Sequence, residues 1–208
     1  VQSIRDGISG LPDLSNDRLR EVLQTGRLQV HQDMHHLGSV DAVLICVPTP
    51  LNKTKEPDLS YVVSALHSVR EHLHPSMLVV LESTTYPGFT REVALPLLEE
   101  SGLRCGEDFY LAFSPERTDP GNMDFQVVNT PKIVGGITDT CTDVTQTLYS
   151  QLIETVHVVS STDTAEMVKL LENTFRAVNI GLVNEVALMC RHLEIDTWEV
   201  IEAAKTKP

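Results

Sequence analysis

VDAVLICVPTP, residues 40–50, sets the frame for the whole chain. Its first eight residues are apolar except for Asp41, and Pro48 stops the run. A short apolar run without polar alternation fits a strand buried on both faces, as in a parallel sheet covered by helices. The residues that follow change period. Leu59, Val62, Val63, Leu66, Val69 and Leu73 recur at helical spacing and predict a helix over 58–72. The alternation then repeats. MLVVL (77–81) predicts a strand, 91–101 a helix ended by Gly102, and FYLAF (109–113) and 132–134 two more strands. Residues 139–152 read as a helix and TVHVV (155–159) as a strand, while 16–26 upstream is a short helix bounded by Ser15-Asn16 and Gly26. Strand, helix, strand, helix predicts an α/β fold with right-handed crossovers and a parallel sheet.

Beyond Asp163 the pattern differs. Ala165, Val168, Leu171, Phe175, Val178, Leu182, Val186 and Met189 step by three or four without a break. They predict one helix of about 30 residues, or about 45 Å, too long for an ordinary crossover. Gly181 in its interior costs about 1 kcal/mol against Ala and is easier to understand if another backbone packs closely there. A second helix over 197–204 follows, and the domain boundary falls near Ser160. No internal repeat is visible.

Composition excludes several classes. The 208 residues carry 16 Lys and Arg against 29 Asp and Glu, a net charge of −13 with histidine neutral. So acidic a chain has no general attraction to nucleic acid or to an anionic membrane, and no apolar run approaches the ~20 residues of a span. The four cysteines (Cys46, Cys105, Cys141, Cys190) stand far apart without a Cys-x-x-Cys, which favours a reduced, cytoplasmic protein with structural cysteines and Cys46 in the core. Eight histidines form no group at metal-ligand spacing.

In a parallel sheet ligands collect at the carboxyl ends of the strands. Three exits there are unusual: Pro48-Thr49-Pro50, Ser83-Thr84-Thr85 and Ser114-Pro115-Glu116-Arg117. Each taken alone is explained by turn and cap chemistry, and three around one edge balance that reading against a ligand site. Lys169 and Asn173, four apart on the long helix, share a face that Arg176 continues. On pattern alone this is a solvated polar stripe; in a pocket the ammonium would steady an oxyanion and the amide would orient a water. No Gly-x-Gly-x-x-Gly occurs. Gly135-Gly136 stands alone, and Gly7 and Gly10 lack a strand before them.

Four strings in order carry a resemblance: ICVPTPLNKTKEPDLS (45–60), ESTTYPG (82–88), SPERTDPGN (114–122) and AEMVKLLENTFRAVNIGLVNE (165–185). Together they resemble the UDP-glucose/GDP-mannose dehydrogenase family over essentially the whole chain. The resemblance implies an NAD-dependent, four-electron oxidation of a sugar C6 alcohol to a carboxylate, in which a cysteine captures the aldehyde and a thioester is hydrolysed. It implies that Glu116 assists proton transfer or activates water, that Lys169 steadies the oxyanion or touches substrate, and that Asn173 holds substrate or water. Thr84 would position a water and, with Pro48, Thr49 and Glu116, lie against NAD; Arg117 and Asn179 would serve the sugar-nucleotide side. The SPER-x-DPGN form and the RAVNIGLVNE helix resemble most the branch that oxidises UDP-N-acetylglucosamine, with UDP-glucose and UDP-N-acetylmannosamine as sibling substrates.

The resemblance further implies a Rossmann-like domain over 1–159, lacking its first βαβ unit, and a helical central domain over 160–208 that forms a homodimer through residues 163–192. The family's Gly-rich loop, its Gly-Gly-His-Cys segment and its C-terminal nucleotide-sugar domain have no counterpart in these residues. The expectation is that the 208 residues alone do not complete the reaction. A catalytically dead dimerisation or binding module is the alternative.

Overall fold

The computed structural model describes residues 1–11, 14–54, 56–118 and 127–207. Lys55 of the first motif, Asp119 to Asn122 of the third, and Pro208 lie outside them. Two short helices open the chain, α1 (Gln2–Arg5) and α2 (Asn16–Gln24), the latter capped by the Ser15 hydroxyl, which accepts the Arg18 N–H. β1 (Ala42–Ile45) leads to α3 (Ser60–His72) and β2 (Leu78–Leu81). A π-helical turn (Thr90–Ala94) runs into α4 (Leu95–Glu99), and β3 (Tyr110–Phe113) follows. Then come β4 (Lys132–Gly136), α5 (Asp139–Tyr149), β5 (Val156–Val158), α6 (Thr162–His192) and α7 (Thr197–Ala204).

The strands form one sheet in the order β1-β2-β3-β4-β5. β1, β2 and β3 are parallel, as are β4 and β5, but β4 runs antiparallel to β3. The expected all-parallel sheet is therefore mostly parallel, with one reversed joint. Parallel neighbours need a covering crossover, usually a helix. The described residues between β3 and β4, 114–118 and 127–131, contain none.

All four residues of β2 are buried, as an unbroken apolar run requires. Leu78 and Val80 pack with Val134 of β4, with Tyr149 at the end of α5 and with Ile153 just beyond it. Alternation puts Val79 and Leu81 on the opposite face, equally buried. Val62, Leu66 and Val69 of α3 and Leu98 of α4 are buried as well. Gly135 and Gly136 find their explanation here. A Cβ on Gly135 would lie 2.2 Å from the Ser161 carbonyl oxygen, and one on Gly136 2.4 Å from the Thr142 nitrogen. The pair admits the backbones before α6 and in α5.

The chain divides into two compact units, Val1–Glu166 and Met167–Pro208. In the second, most of α6 is followed by α7. Leu171, Phe175, Val178 and Leu182, the face expected to be packed, are 60 % exposed or more. Trp198 on α7 is 73 % exposed. Nothing lies within 4 Å of where a Cβ on Gly181 would be, so the close backbone expected there is not supplied by this chain's described residues. No helix among the described residues is long and apolar enough to cross a membrane.

Candidate active site

The register of the sheet aligns the three strand exits. Ile45 pairs with Leu81 and Leu81 with Phe113, so Cys46, Glu82 and Ser114 follow side by side. A cleft of about 340 Å³ opens there, lined by Cys46, Val47, Pro48, Thr49, Glu82, Ser83, Thr84 and Glu116. Pro48, Thr49, Thr84 and Glu116 are thus brought together.

Two other hydroxyls of these exits are engaged by the backbone. The buried Ser83 hydroxyl donates to the Val47 carbonyl at 2.8 Å, and the buried Ser114 hydroxyl to that of Ile133 at 2.7 Å.

Behind the cleft lies a charge network that sequence reasoning missed. The buried Lys132 places Nζ 3.1 Å from Glu82 Oε1 and 3.6 Å from Glu116 Oε2. The ammonium also stands 5.2 Å from the centre of the Tyr149 ring. The Tyr149 hydroxyl donates to Glu82 Oε1, and the Cys46 thiol to Oε2 at 3.6 Å. Partial burial pushes the Glu116 carboxyl upward, but hydrogen bonds from Thr118 and the Lys132 charge outweigh it and leave it below the usual carboxylate range. Burial and then the Glu82 carboxylate push the Tyr149 hydroxyl up, and the same two causes raise the Cys46 thiol to about 11. Cys46 is not the core residue expected: it is exposed on the cleft.

A second cavity, of about 410 Å³, shares the Glu82 and Glu116 wall and is lined further by Arg117, Lys132, Leu44 and Ile153. The Arg117 guanidinium donates to the Pro131 carbonyl at 2.6 Å. The network joins the ends of β2, β4 and α5. One local signal was available: a lysine opening the apolar run of β4.

The loop bearing Thr84 is fixed by a buried carboxylate. Glu166, in the second turn of α6 and fully buried, accepts the N–H groups of Gly88 (2.6 Å) and Thr90 (3.0 Å). It also accepts the hydroxyls of Thr85 (3.2 Å) and Thr90 (2.7 Å). Burial raises its carboxyl above the usual range, although all these bonds pull the other way. Arg91 and Asp163 close the same junction with an ion pair at 3.0 Å.

Lys169, Asn173 and Asn179 belong to the second unit. Lys169 is half-buried and Asn173 exposed, about 6 Å apart along one face of α6. The Asn179 amide donates to the Phe175 carbonyl at 2.7 Å and so is engaged on its own helix. No group of three His, Cys, Asp or Glu among the described residues could hold a metal.

The cleft's donor set decides what cofactor part it fits. Two threonines, a proline, a valine and two carboxylates suit ribose hydroxyls and a carboxamide-bearing ring. Two glutamates on one wall repel a pyrophosphate, whose usual Gly-rich cradle is absent from the sequence.

Residues 1–153 match the UDP-glucose/GDP-mannose dehydrogenase family, NAD binding domain, and residues 163–208 match the central domain of the same family. The chain is 39 % identical to UDP-N-acetyl-D-mannosamine dehydrogenase of Pyrococcus horikoshii over 100 % of its own length and 50 % of that protein. It is 36 % identical to UDP-N-acetyl-D-glucosamine 6-dehydrogenase of Pseudomonas aeruginosa, covering 100 % and 49 %. A solved structure of the UDP-D-ManNAc dehydrogenase of Pyrococcus horikoshii superposes with a TM-score of 0.92 at 40 % identity, covering 100 % of this chain and 50 % of that one. The chain spans about half the length of the curated relatives it matches. With both domain matches in order and the motif residues of its first domain gathered in one cleft, the chain belongs to the UDP-glucose/GDP-mannose dehydrogenase family, and the cofactor of its first domain is NAD.

Proposed function

We propose that these residues form the cofactor-binding and central parts of a UDP-N-acetylhexosamine 6-dehydrogenase, which oxidises the C6 alcohol of the sugar to a carboxylate. The observation that carries this most directly is Glu116, an ionised carboxylate at the exit of β3, backed by Lys132 and sharing its cleft with Pro48, Thr49 and Thr84. When bound, NAD accepts hydride from C6. Glu116 takes the hydroxyl proton, directly or through a water held by Thr84, and later activates the hydrolytic water. Pro48 and Thr49 would lie against NAD. Lys169 steadies the oxyanion, Asn173 holds substrate or water, and Arg117 and Asn179 serve the sugar nucleotide; these four roles rest on the family resemblance.

UDP-N-acetylglucosamine is the substrate favoured by SPER-x-DPGN and RAVNIGLVNE. The 39 % identity to a UDP-N-acetyl-D-mannosamine dehydrogenase supports the mannosamine sugar as a second reading. NADH production by the complete protein with each sugar, and with UDP-glucose, tests both. Highest turnover with UDP-glucose, or no turnover with any, overturns the proposal.

We divide the chain into a Rossmann-like domain at 1–159 and a central domain at 160–208. We take the partner on α6 to be a second copy, because Phe175 and Val178 expose 69 % and 62 % of their surface. Four unpaired cysteines support a cytoplasmic location. The 208 residues alone are expected to give no steady NADH with UDP-N-acetylglucosamine, since they contain neither a Gly-rich loop nor a Gly-Gly-His-Cys segment.

A further inference from the structure

Cys105 and Cys141 are 36 residues apart in sequence, yet their sulfurs lie 3.7 Å from each other. Cys105 sits partly exposed in the turn before β3, and Cys141 is buried in the first turn of α5. A disulfide holds its sulfurs about 2.05 Å apart, so the pair has roughly 1.7 Å to close. The surroundings prepare Cys141 to carry negative charge. Its sulfur accepts the Thr138 hydroxyl at 3.2 Å and the Leu111 N–H at 3.4 Å. It also sits at the N-terminus of an 11-residue helix, where the backbone favours an anion.

The hydrogen bond from the Cys105 thiol is the largest influence on Cys141. Burial opposes it, Thr138 and Leu111 reinforce it, and the balance lies well below an ordinary thiol. Cys105 is pushed up by its bond to Cys141 and by burial, and the Glu99 carboxylate, which accepts its N–H at 3.1 Å, adds to this. Of the two sulfurs, Cys141 is thus the better placed to carry negative charge.

We propose that Cys105 and Cys141 form a two-electron oxidation site that reacts with low-molecular-weight disulfides and closes to an intramolecular bond. With oxidised glutathione, the Cys105 thiol, the more accessible of the two, loses its proton to solvent and becomes a thiolate at the surface. It attacks one glutathione sulfur, breaking that S–S bond and releasing one glutathione thiolate. Cys141, deprotonated, then attacks the Cys105 sulfur of the mixed disulfide and expels the second glutathione. Two protein thiols lose two electrons and two protons, and one glutathione disulfide becomes two thiols. The bond would tie the turn before β3 to α5, at the opposite end of β3 from Glu116, so it does not depend on the function proposed above.

The test incubates the 208-residue chain with oxidised glutathione, blocks remaining thiols under acid and maps the peptides. We expect the free thiols to fall from four to two, with one cross-linked peptide joining Cys105 to Cys141. Cys46→Ser should leave that cross-link unchanged, and Cys105→Ser should leave Cys141 unmodified. Closing this loop should raise the melting temperature by roughly 5–10 °C. Four free thiols after incubation, or a persistent mixed disulfide at Cys105, would overturn the proposal. Because mapping of the unsubstituted chain decides it, poor folding of a variant would not obscure the answer.

Discussion

Lys132 is buried between two carboxylates, with 9 % of its side chain exposed against 10 % for Glu82. Removing one member of such a pair leaves the other charge uncompensated. Lys132→Met should therefore lower stability by about 3–5 kcal/mol in urea unfolding at pH 7, and adding Glu82→Gln should restore a large part of it. The Glu116 carboxyl tests the same network by titration. Its value is lower folded than unfolded, so its stabilisation is present above the unfolded value and is lost as pH falls through the folded one. Glu116→Gln should flatten that acid loss of stability, and in Lys132→Met the Glu116 carboxyl, followed by carbon NMR, should titrate at higher pH. An unmoved titration would remove Lys132 from its role. At this scale the sequence showed the members that stand in exits, Thr84 and Glu116, because strand ends are visible. Lys132 and Tyr149 stayed hidden, since only the sheet order brings positions 82, 132 and 149 together.

Among the elements, the loop after β2 depends most on one distant side chain. Glu166→Ala would strand the N–H groups of Gly88 and Thr90 and two threonine hydroxyls. We expect a loss of about 3 kcal/mol or more, and hydrogen exchange at Gly88 and Thr90 faster by orders of magnitude than at β2. Equal protection before and after would show that the loop holds itself. Gly135→Ala is expected to be severe for a steric reason, since backbone at Ser161 cannot yield as a flexible side chain can. About 2–3 kcal/mol should be lost, read as a fall in thermal midpoint. The strands and the long helix were legible because each carries a clear period over its own residues. The reversal of β4 was not, because local pattern fixes that a strand exists and says nothing of its direction.

At the scale of the whole molecule, the exposed apolar face of α6 dominates. A row of large apolar side chains that includes Leu171, Phe175, Val178 and Leu182 is costly to leave in water. Sedimentation should show a dimer, and Phe175→Glu with Val178→Glu should return it to monomer without melting the sheet unit. Gly181→Ala separates two cases. In a helix facing water it should add about 1 kcal/mol, whereas against a closely packed second backbone it should weaken association.

The placement of the aromatic residues makes these events separable by light. Trp198 is the chain's one tryptophan and lies in the second unit, while Tyr61, Tyr86, Tyr110 and Tyr149 all lie in the first. Emission excited at the red edge of the indole band thus reports α7 alone, and tyrosine absorbance reports the sheet. With 73 % of its surface in water, Trp198 should emit at long wavelength and be quenched readily by iodide. A blue shift that grows with protein concentration would mean that its surroundings dry as copies meet. Two denaturation curves of different midpoint, one per chromophore, would mean that the units melt as independent bodies.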